Sequence, residues 1–302
     1  MTITLLDGGM GRELARIGAP FRQPEWSALA LIEGPEYVER AHDAFIAAGA
    51  DVITANSYAL TPFHIGTARF GAEGFRLADL AGRLAREAAA RASRSVRVAA
   101  SLPPVCGSYR ADWFDAREAR PILTTLVAGL GAHADIWLAE TLSSIGEAQL
   151  VREVLGEDPR PLWLSFTIAD EAAEPGRPRL RSGQPLEDAA AAAMALGAEA
   201  LLFNCSQPEV MADAVAAARA VVETEGARLT LGVYANAFPP QTEAAAANAG
   251  LDEIRRDLTP EAYLAFAQTW RALGADIIGG CCGVGPEHIA GLRAAMEPEA
   301  AA

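Results

Sequence analysis

The chain has 302 residues, of which 51% are hydrophobic and 21% charged, with a formal net charge of −14. That length buries a core large enough for one α/β barrel or two smaller domains, and the acidity argues against nucleic acid and anionic membranes as partners, because both repel a polyanion. All 25 basic residues are arginine, which excludes Schiff-base catalysis and the lysine of a phosphate-binding loop.

Short apolar runs alternate with helical patterns from one end to the other. Thr2 to Leu6 reads as a first strand ending in the turn Asp7-Gly8-Gly9, and Pro35 to Ala48 as a helix closed by Gly49. Asp51 to Ala55 is a second strand leading into Asn56-Ser57-Tyr58, and Glu73 to Ala92 a long amphipathic helix. Val96 to Leu102 is the third strand, followed by a loop with Pro103, Pro104 and Gly107 and a helix over Ala116 to Leu130. Asp135 to Ala139 is the fourth, ending in Glu140 and Thr141, with a helix from Ser144 to Leu155. Leu162 to Ile168, Ala200 to Asn204, Leu229 to Tyr234 and Asp276 to Gly280 are the remaining strands. The helices between and after them are Leu186 to Leu196, Pro208 to Glu223, Pro260 to Leu273 and Pro286 to Ala295.

Eight continuous apolar strands in strict alternation with helices predict a parallel sheet covered on its outer face, closed as a (β/α)8 TIM barrel. The expected organisation is a single barrel domain over residues 1–302. A doubly wound open sheet is the runner-up, but DGGMGREL after the first strand lacks the G-x-G-x-x-G spacing of a dinucleotide turn. The recurring AGAD, LGAE and LGAD segments (48–51, 196–199 and 273–276) read as helix-ending glycine turns. The alanine tracts read as helix at 189–193 and as loop at 244–247.

Four histidines, His42, His64, His133 and His288, stand apart with no metal-binding spacing, and are expected on solvated helix faces or loops. The N-terminus has no basic region and no run reaches the roughly 18 apolar residues of a membrane helix. A reducing cytoplasm is the expected compartment, where thiols bind metal or react rather than form structural disulfides.

The thiols are the chemically informative residues. DIIGGCCG (276–283) breaks an apolar strand into glycine at Cys281 and Cys282, and LLFNCS (201–206) leaves Cys205 at another strand tip. Adjacent strand residues point to opposite faces, so the pair shares one centre only after the backbone has left β geometry, as the glycines permit. Three thiols at two strand ends suggest zinc with its fourth position open. Two other readings stand beside it: small buried hydrophobes, or a vicinal redox disulfide. Asn56, Glu140, Cys205 and the Cys281-Cys282 pair follow strands two, four, six and eight, and alternate barrel strands send side chains to common layers at the catalytic end.

With those residues in place, the chain resembles the homocysteine S-methyltransferase family. The resemblance is carried by DGGMG (7–11), PEWSALALIEGPEYVERAHDAFIAAGADVITANSY (24–58), ETLSSIGEA (140–148), NCSQPE (204–209) and IGGCCGVGPEHI (278–289), in the family's order and over nearly the full length. It is nearest to the single-domain members that use S-methylmethionine. It implies that Cys205, Cys281 and Cys282 hold Zn2+ and that homocysteine sulfur takes the open position. It also implies that Glu140 holds the homocysteine amino group and that Asp7, Gly8 and Gly9 hold the amino-acid end. Asn56 and Tyr58 match the segment after strand two and are expected at the substrate site, with barrel-mouth packing as the other reading; Asn204, which precedes a ligand, is expected there too, orienting the site from behind or satisfying backbone groups locally. No catalytic residue beyond the metal site is implied.

The donor is expected to be S-methylmethionine, with S-adenosylmethionine, dimethylsulfoniopropionate or a betaine as further options. Selenocysteine or another small thiol is the alternative acceptor, and a thiol redox or zinc-binding protein the alternative class. Two loops depart from the family pattern, SLPPVCGSYRADWFD after strand three and YANAFPPQTEAAAANAG after strand seven. Both overhang the mouth where a donor would lie, and Cys106 in the first is expected to be a non-ligand thiol. Nothing in the sequence signals an oligomeric state.

Overall fold

The computed structural model describes residues 3–170, 176–240 and 253–296. Among them, eight parallel strands form one sheet in the order β1-β8-β7-β6-β5-β4-β3-β2. They are β1 (Thr4–Leu5), β2 (Val52–Thr54), β3 (Arg97–Leu102), β4 (Ile136–Leu142), β5 (Leu162–Phe166), β6 (Ala200–Asn204), β7 (Thr230–Tyr234) and β8 (Ala275–Ile278). A parallel bridge from Leu6 to Val52 joins the two ends. Asp51 N–H donates to Leu5 O at 2.7 Å and Asp7 N–H to Val52 O at 3.0 Å, closing the ring. The (β/α)8 barrel is therefore borne out.

The apolar strands divide between two layers by the period-2 alternation of β structure. Ile136 and Leu138 of β4, and Ala200 and Leu202 of β6, pack inside the barrel with Leu6, Val52, Ala99, Trp163, Tyr234 and Ile277. Their neighbours Trp137, Ala139, Leu201 and Phe203 face the helices in the larger outer core. The interior is tight enough that a Cβ on Gly232 would stand 2.8 Å from Ile277 Cβ and 2.9 Å from Leu202 Cδ2.

The outer layer is made by α1 (Met10–Arg16), α2 (Ser27–Glu33), α3 (Pro35–Ala47), α4 (Pro62–Ile65), α5 (Thr67–Arg91), α6 (Ala116–Leu130), α7 (Ile145–Leu155), α8 (Leu186–Ala195), α9 (Pro208–Thr224), α10 (Pro260–Ala272) and α11 (Pro286–Met296). On α5 the buried residues Phe70, Gly74, Leu77, Ala78, Ala81, Leu84, Ala85 and Ala88 recur at helical spacing, which gives it one apolar face. A capping box starts α7: Ser144 accepts from Glu147 N–H while Glu147 reaches back to the cap backbone. The three repeated glycine turns do end helices, with Gly49, Gly197 and Gly274 all at positive φ.

Four expectations need correction. α1, α2 and α4 occupy stretches in which no element was expected, because helices of seven residues or fewer show too little periodicity to see. α5 starts at Thr67 rather than Glu73, where Gly66 at φ 80 sets the chain entry. β4 runs on through Glu140 and Thr141, with its register to β5 shifting between Ala139 and Leu142 and Thr141 at φ 59. β8 stops at Ile278, because Gly279 and Gly280 leave the ladder to pack against Leu6 and Val284.

Three of the histidines are buried rather than solvated. His64 Nδ1 meets Pro24 O at 3.1 Å and His288 Nε2 meets Leu258 O at 3.0 Å. His42 lies inside the α3 packing face, where burial holds its imidazole down at about 4 and keeps it neutral. The alanine tract at 244–247 lies outside the described residues. No helix among the described residues is long and apolar enough to cross a membrane.

Candidate active site

The C-terminal ends of the strands surround a cavity of about 180 Å3. Cys205 enters it from the tip of β6 in the left-handed region, φ 53, an uncommon conformation for a residue with a Cβ. Cys281 and Cys282 enter from the turn after β8. Cys281 N–H donates to Ala235 O at 2.9 Å, Ala237 N–H to Cys282 O at 2.8 Å, and Val284 N–H back to Cys281 O at 3.0 Å. Gly283 at φ 85 completes this turn, which is what brings two adjacent cysteines onto one side.

The three Sγ atoms all lie within 4.8 Å of one another, and Cys281 Sγ is 3.1 Å from Cys205 Sγ. All four cysteines are free, so neither a vicinal nor a cross-strand disulfide is present. A tetrahedral ion with sulfur at about 2.3 Å puts its ligand sulfurs about 3.8 Å apart, between the 3.1 Å of the Cys205–Cys281 pair and the 4.8 Å within which all three lie. Hydrogen bonds from Cys205 and Cys281 push Cys282 down from the usual thiol range, and those of Cys281 with Cys205 and Cys282, together with burial, push Cys281 up. The three residues can hold one metal ion, and all three face the cavity, which leaves room for a further ligand.

Glu140 faces the same cavity with 8% of its surface exposed. The β4 bulge aims it there. Ser101 of β3 donates to its Oε1 and Tyr234 of β7 to its Oε2 at 3.3 Å. Burial raises its carboxyl to about 7, partly offset by those two donors. Asp7 also lines the cavity. Thr54 holds it through N–H to Oδ2 at 2.7 Å and Oγ1 to Oδ1 at 2.9 Å, and burial raises it to about 7 as well.

Gly8 and Gly9 line the cavity beside Asp7. A Cβ on Gly9 would stand 2.5 Å from Cys281 O and 3.0 Å from Cys282 Cα, so this turn packs directly on the cysteine turn. The Gly9 N–H donates to Val284 O at 2.9 Å, which commits that amide to the fold. Asn56 lines the cavity with its Nδ2 on Ser27 O at 3.0 Å, and Tyr58 does so with its hydroxyl 2.6 Å from Ser108 Oγ.

Asn204 stands apart from the cavity lining. Its Oδ1 accepts from Thr141 N–H at 2.9 Å and Ser165 Oγ at 2.8 Å, and its Nδ2 donates to Thr141 Oγ1 at 2.9 Å. It therefore holds the bulge that aims Glu140. Cys106 lies outside the sulfur group, half-buried in the loop after β3.

Sequence reasoning passed over Ser101, Tyr109, Tyr234, Trp26 and Phe238, all in or against this cavity. Tyr234 carried a usable signal, a polar tip at the C-terminal end of a barrel strand. Tyr109 carried none, since it sits in an aperiodic loop at φ 67.

In sequence, the family model described as homocysteine S-methyltransferase matches residues 4–296. The homocysteine S-methyltransferase of Escherichia coli (strain K12) is 31% identical, over 97% of this chain and 94% of that protein. The selenocysteine Se-methyltransferase of Brassica oleracea var. italica is 26% identical, over 96% of this chain and 87% of that one. In three dimensions, the metallated form of the homocysteine methyltransferase MmuM from Escherichia coli superposes with a TM-score of 0.74 at 30% identity, covering 98% of this chain and 96% of that one. The cysteine-lined barrel mouth and the end-to-end sequence match agree: this chain belongs to the homocysteine S-methyltransferase family.

Proposed function

We propose that the enzyme transfers a methyl group from a small sulfonium donor, S-methylmethionine by preference, to the sulfur of homocysteine, giving methionine. One observation carries this reading: three thiols from β6 and β8 converge on a cavity that also holds the Glu140 carboxylate. We assign Zn2+ to Cys205, Cys281 and Cys282. Zinc held there would supply one thing, the lowering of a thiol's pKa, so that homocysteine reacts as a thiolate without a protein base.

The remaining work falls to side chains of this chain. Glu140, fixed by Ser101 and Tyr234, pairs with the homocysteine ammonium and orients the amino acid. Asp7 and Gly8 form the neighbouring wall at the amino-acid end. The rings of Trp26, Tyr58 and Tyr109 line the cavity and favour a sulfonium by about 0.5 to 2 kcal/mol each where the cation meets a ring face. In the transfer, the bond from homocysteine sulfur to the methyl carbon forms as the donor's S–CH3 bond breaks. The electron pair leaves with the donor sulfur as a neutral thioether. No proton is needed by the leaving group, so no acid is required beside it. The four free thiols fit a reducing compartment, the cytoplasm.

A second acceptor deserves the same assay, because a selenocysteine Se-methyltransferase is among the relatives. The test is to incubate zinc-loaded protein with homocysteine or selenocysteine and, in turn, S-methylmethionine, S-adenosylmethionine, dimethylsulfoniopropionate and betaine, with products read by mass spectrometry. S-methylmethionine with homocysteine is expected to give methionine fastest. Absence of methionine with every donor overturns the acceptor assignment.

A further inference from the structure

Cys205 is gripped from two sides by side chains whose contacts with it the reaction scheme does not use. On the sulfur side, the Tyr109 hydroxyl donates to Cys205 Sγ at 3.0 Å. The Arg181 guanidinium lies over the Tyr109 ring, 4.6 Å from its centroid. On the backbone side, Arg181 Nε donates to Thr167 Oγ1 at 3.0 Å, and that hydroxyl donates to Cys205 O at 3.3 Å. Arg181 itself is fixed by Asp170, Nη2 to Oδ2 at 3.1 Å, with 5% and 0% of the two side chains exposed. Asp170 Oδ1 in turn accepts from Gln207 N–H at 2.9 Å, which ties the pair to the segment just after Cys205.

The segment following β5 thus folds back over the β6 tip, Ile168 bridging Leu180 and Ala169 N–H reaching Arg179 O at 3.0 Å, and so delivers Arg181 beneath Tyr109. Both Tyr109 (φ 67) and Cys205 (φ 53) occupy the left-handed region. Such conformations persist only where surrounding contacts over-determine them.

We propose that Tyr109 is a positioning residue for the metal ligand Cys205, donating a hydrogen bond to its sulfur, and that Arg181 holds Tyr109 in that role through the stacked guanidinium. This rests on the assignment of a metal to the three cysteines. Three thiolates leave a divalent ion at net −1, and an incoming thiolate takes it to −2 in a buried cavity. A phenol O–H aimed at one sulfur draws charge off it, and a cation on the ring's face makes that phenol a stronger donor. The hydrogen bond also fixes the Sγ direction, as outer-shell partners of metal ligands do. The Asp170 carboxylate keeps the buried guanidinium paired, so the device adds no net charge of its own.

The test uses Co2+ as a spectroscopic replacement for Zn2+ in the full chain. Wild type is expected to show a thiolate-to-cobalt charge-transfer band. In Tyr109→Phe the Cys205 sulfur becomes a stronger electron donor, so the band is expected to move to longer wavelength. Cobalt affinity, measured against a chromophoric chelator, is expected to fall about 10-fold. Arg181→Lys keeps the charge but loses the planar stack and fork, and is expected to shift band and affinity in the same direction. The double variant is expected to shift them no further than Tyr109→Phe alone, because both act through one bond. Circular dichroism and thermal melts establish that each variant is folded. A folded Tyr109→Phe with an unmoved band and unchanged affinity overturns the proposal and leaves the metal site standing. Fully additive single effects overturn the link from Arg181 to Tyr109. A wild type that takes up no cobalt overturns the metal assignment and this inference with it.

Discussion

Glu140→Gln tests the substrate pose most directly, because it removes a charge while keeping the shape. The carboxylate sits in the cavity wall with 8% of its surface exposed and two hydroxyl donors already spent on its oxygens. A glutamine there can still accept from one hydroxyl, so the fold loses little. What it cannot do is pair with an ammonium. Truncating one partner of a buried, hydrogen-bonded charge pair costs about 2 to 5 kcal/mol. Taking about 3 kcal/mol, for a site that remains open on one side, predicts a rise in homocysteine KM of roughly 150-fold. The amino group lies away from the reacting sulfur, so its contact is the same in the ground and transition states. A saturating kcat within a few-fold of wild type is therefore expected. The measurement is steady-state methionine formation at varied homocysteine, with a thermal melt as control. A variant whose KM is unchanged while kcat collapses would refute the pose and place the carboxylate at the reacting atoms instead.

The same residue gives a pH signature. Burial raises Glu140 to about 7 from an ordinary 4.5, so the charged form that attracts an ammonium is populated only as pH rises through about 7. Homocysteine KM is expected to fall across that window in wild type and to stay flat in Glu140→Gln. In the ligand-free protein a raised folded pKa means stability present below about 4.5 and lost as pH rises to about 7, so Glu140→Gln should gain relative stability above neutrality. Cys282→Ser removes one of the three converging thiols, and zinc stoichiometry measured by atomic emission and turnover should be lost together; turnover without metal would sink the zinc assignment. Gly9→Ala drives a Cβ to 2.5 Å from Cys281 O and should cost about 1 to 3 kcal/mol in urea unfolding as well as weaken zinc retention. Asn204→Ala leaves the buried Thr141 N–H without its acceptor, and should cost about 1 to 3 kcal/mol with a rise in homocysteine KM as the bulge loosens.

The barrel was legible because its strands are buried on both faces, and that burial writes continuous apolar runs such as Leu201, Leu202 and Phe203 into the sequence. The sulfur group was legible once the barrel was read, because Cys205 and the Cys281-Cys282 pair then fall at the ends of two even-numbered strands. What escaped was whatever depends on one residue's local backbone. Glu140 was expected just past its strand, whereas it stands inside β4 on a bulge whose other member, Thr141, is at φ 59. A threonine offers no local reason to adopt that conformation. The reason lies 63 residues away, in the Asn204 side chain that captures both Thr141 N–H and Thr141 Oγ1.

That separation explains why the partners of Asn204, singled out from its place beside Cys205, could not be read from the sequence: of the parts open to it, it satisfies the backbone of the Thr141 bulge. The β6 tip carries two functions one residue apart: Asn204 turns inward to set the angle of Glu140, and Cys205, after the chain swings to positive φ, presents sulfur to the cavity. Under the proposed pose, one strand end positions both the group that binds the amine of an amino acid and the group that receives its sulfur. In homocysteine those two atoms are separated by a chain of three carbons, so that pose is expected to select for chain length. Cysteine, one methylene shorter, is expected to react at least 10-fold more slowly at equal concentration, since it cannot reach Glu140 and the sulfur group together. Equal rates with cysteine and homocysteine, measured as S-methylated product under single-turnover conditions, would show that the two groups do not act on the same substrate molecule.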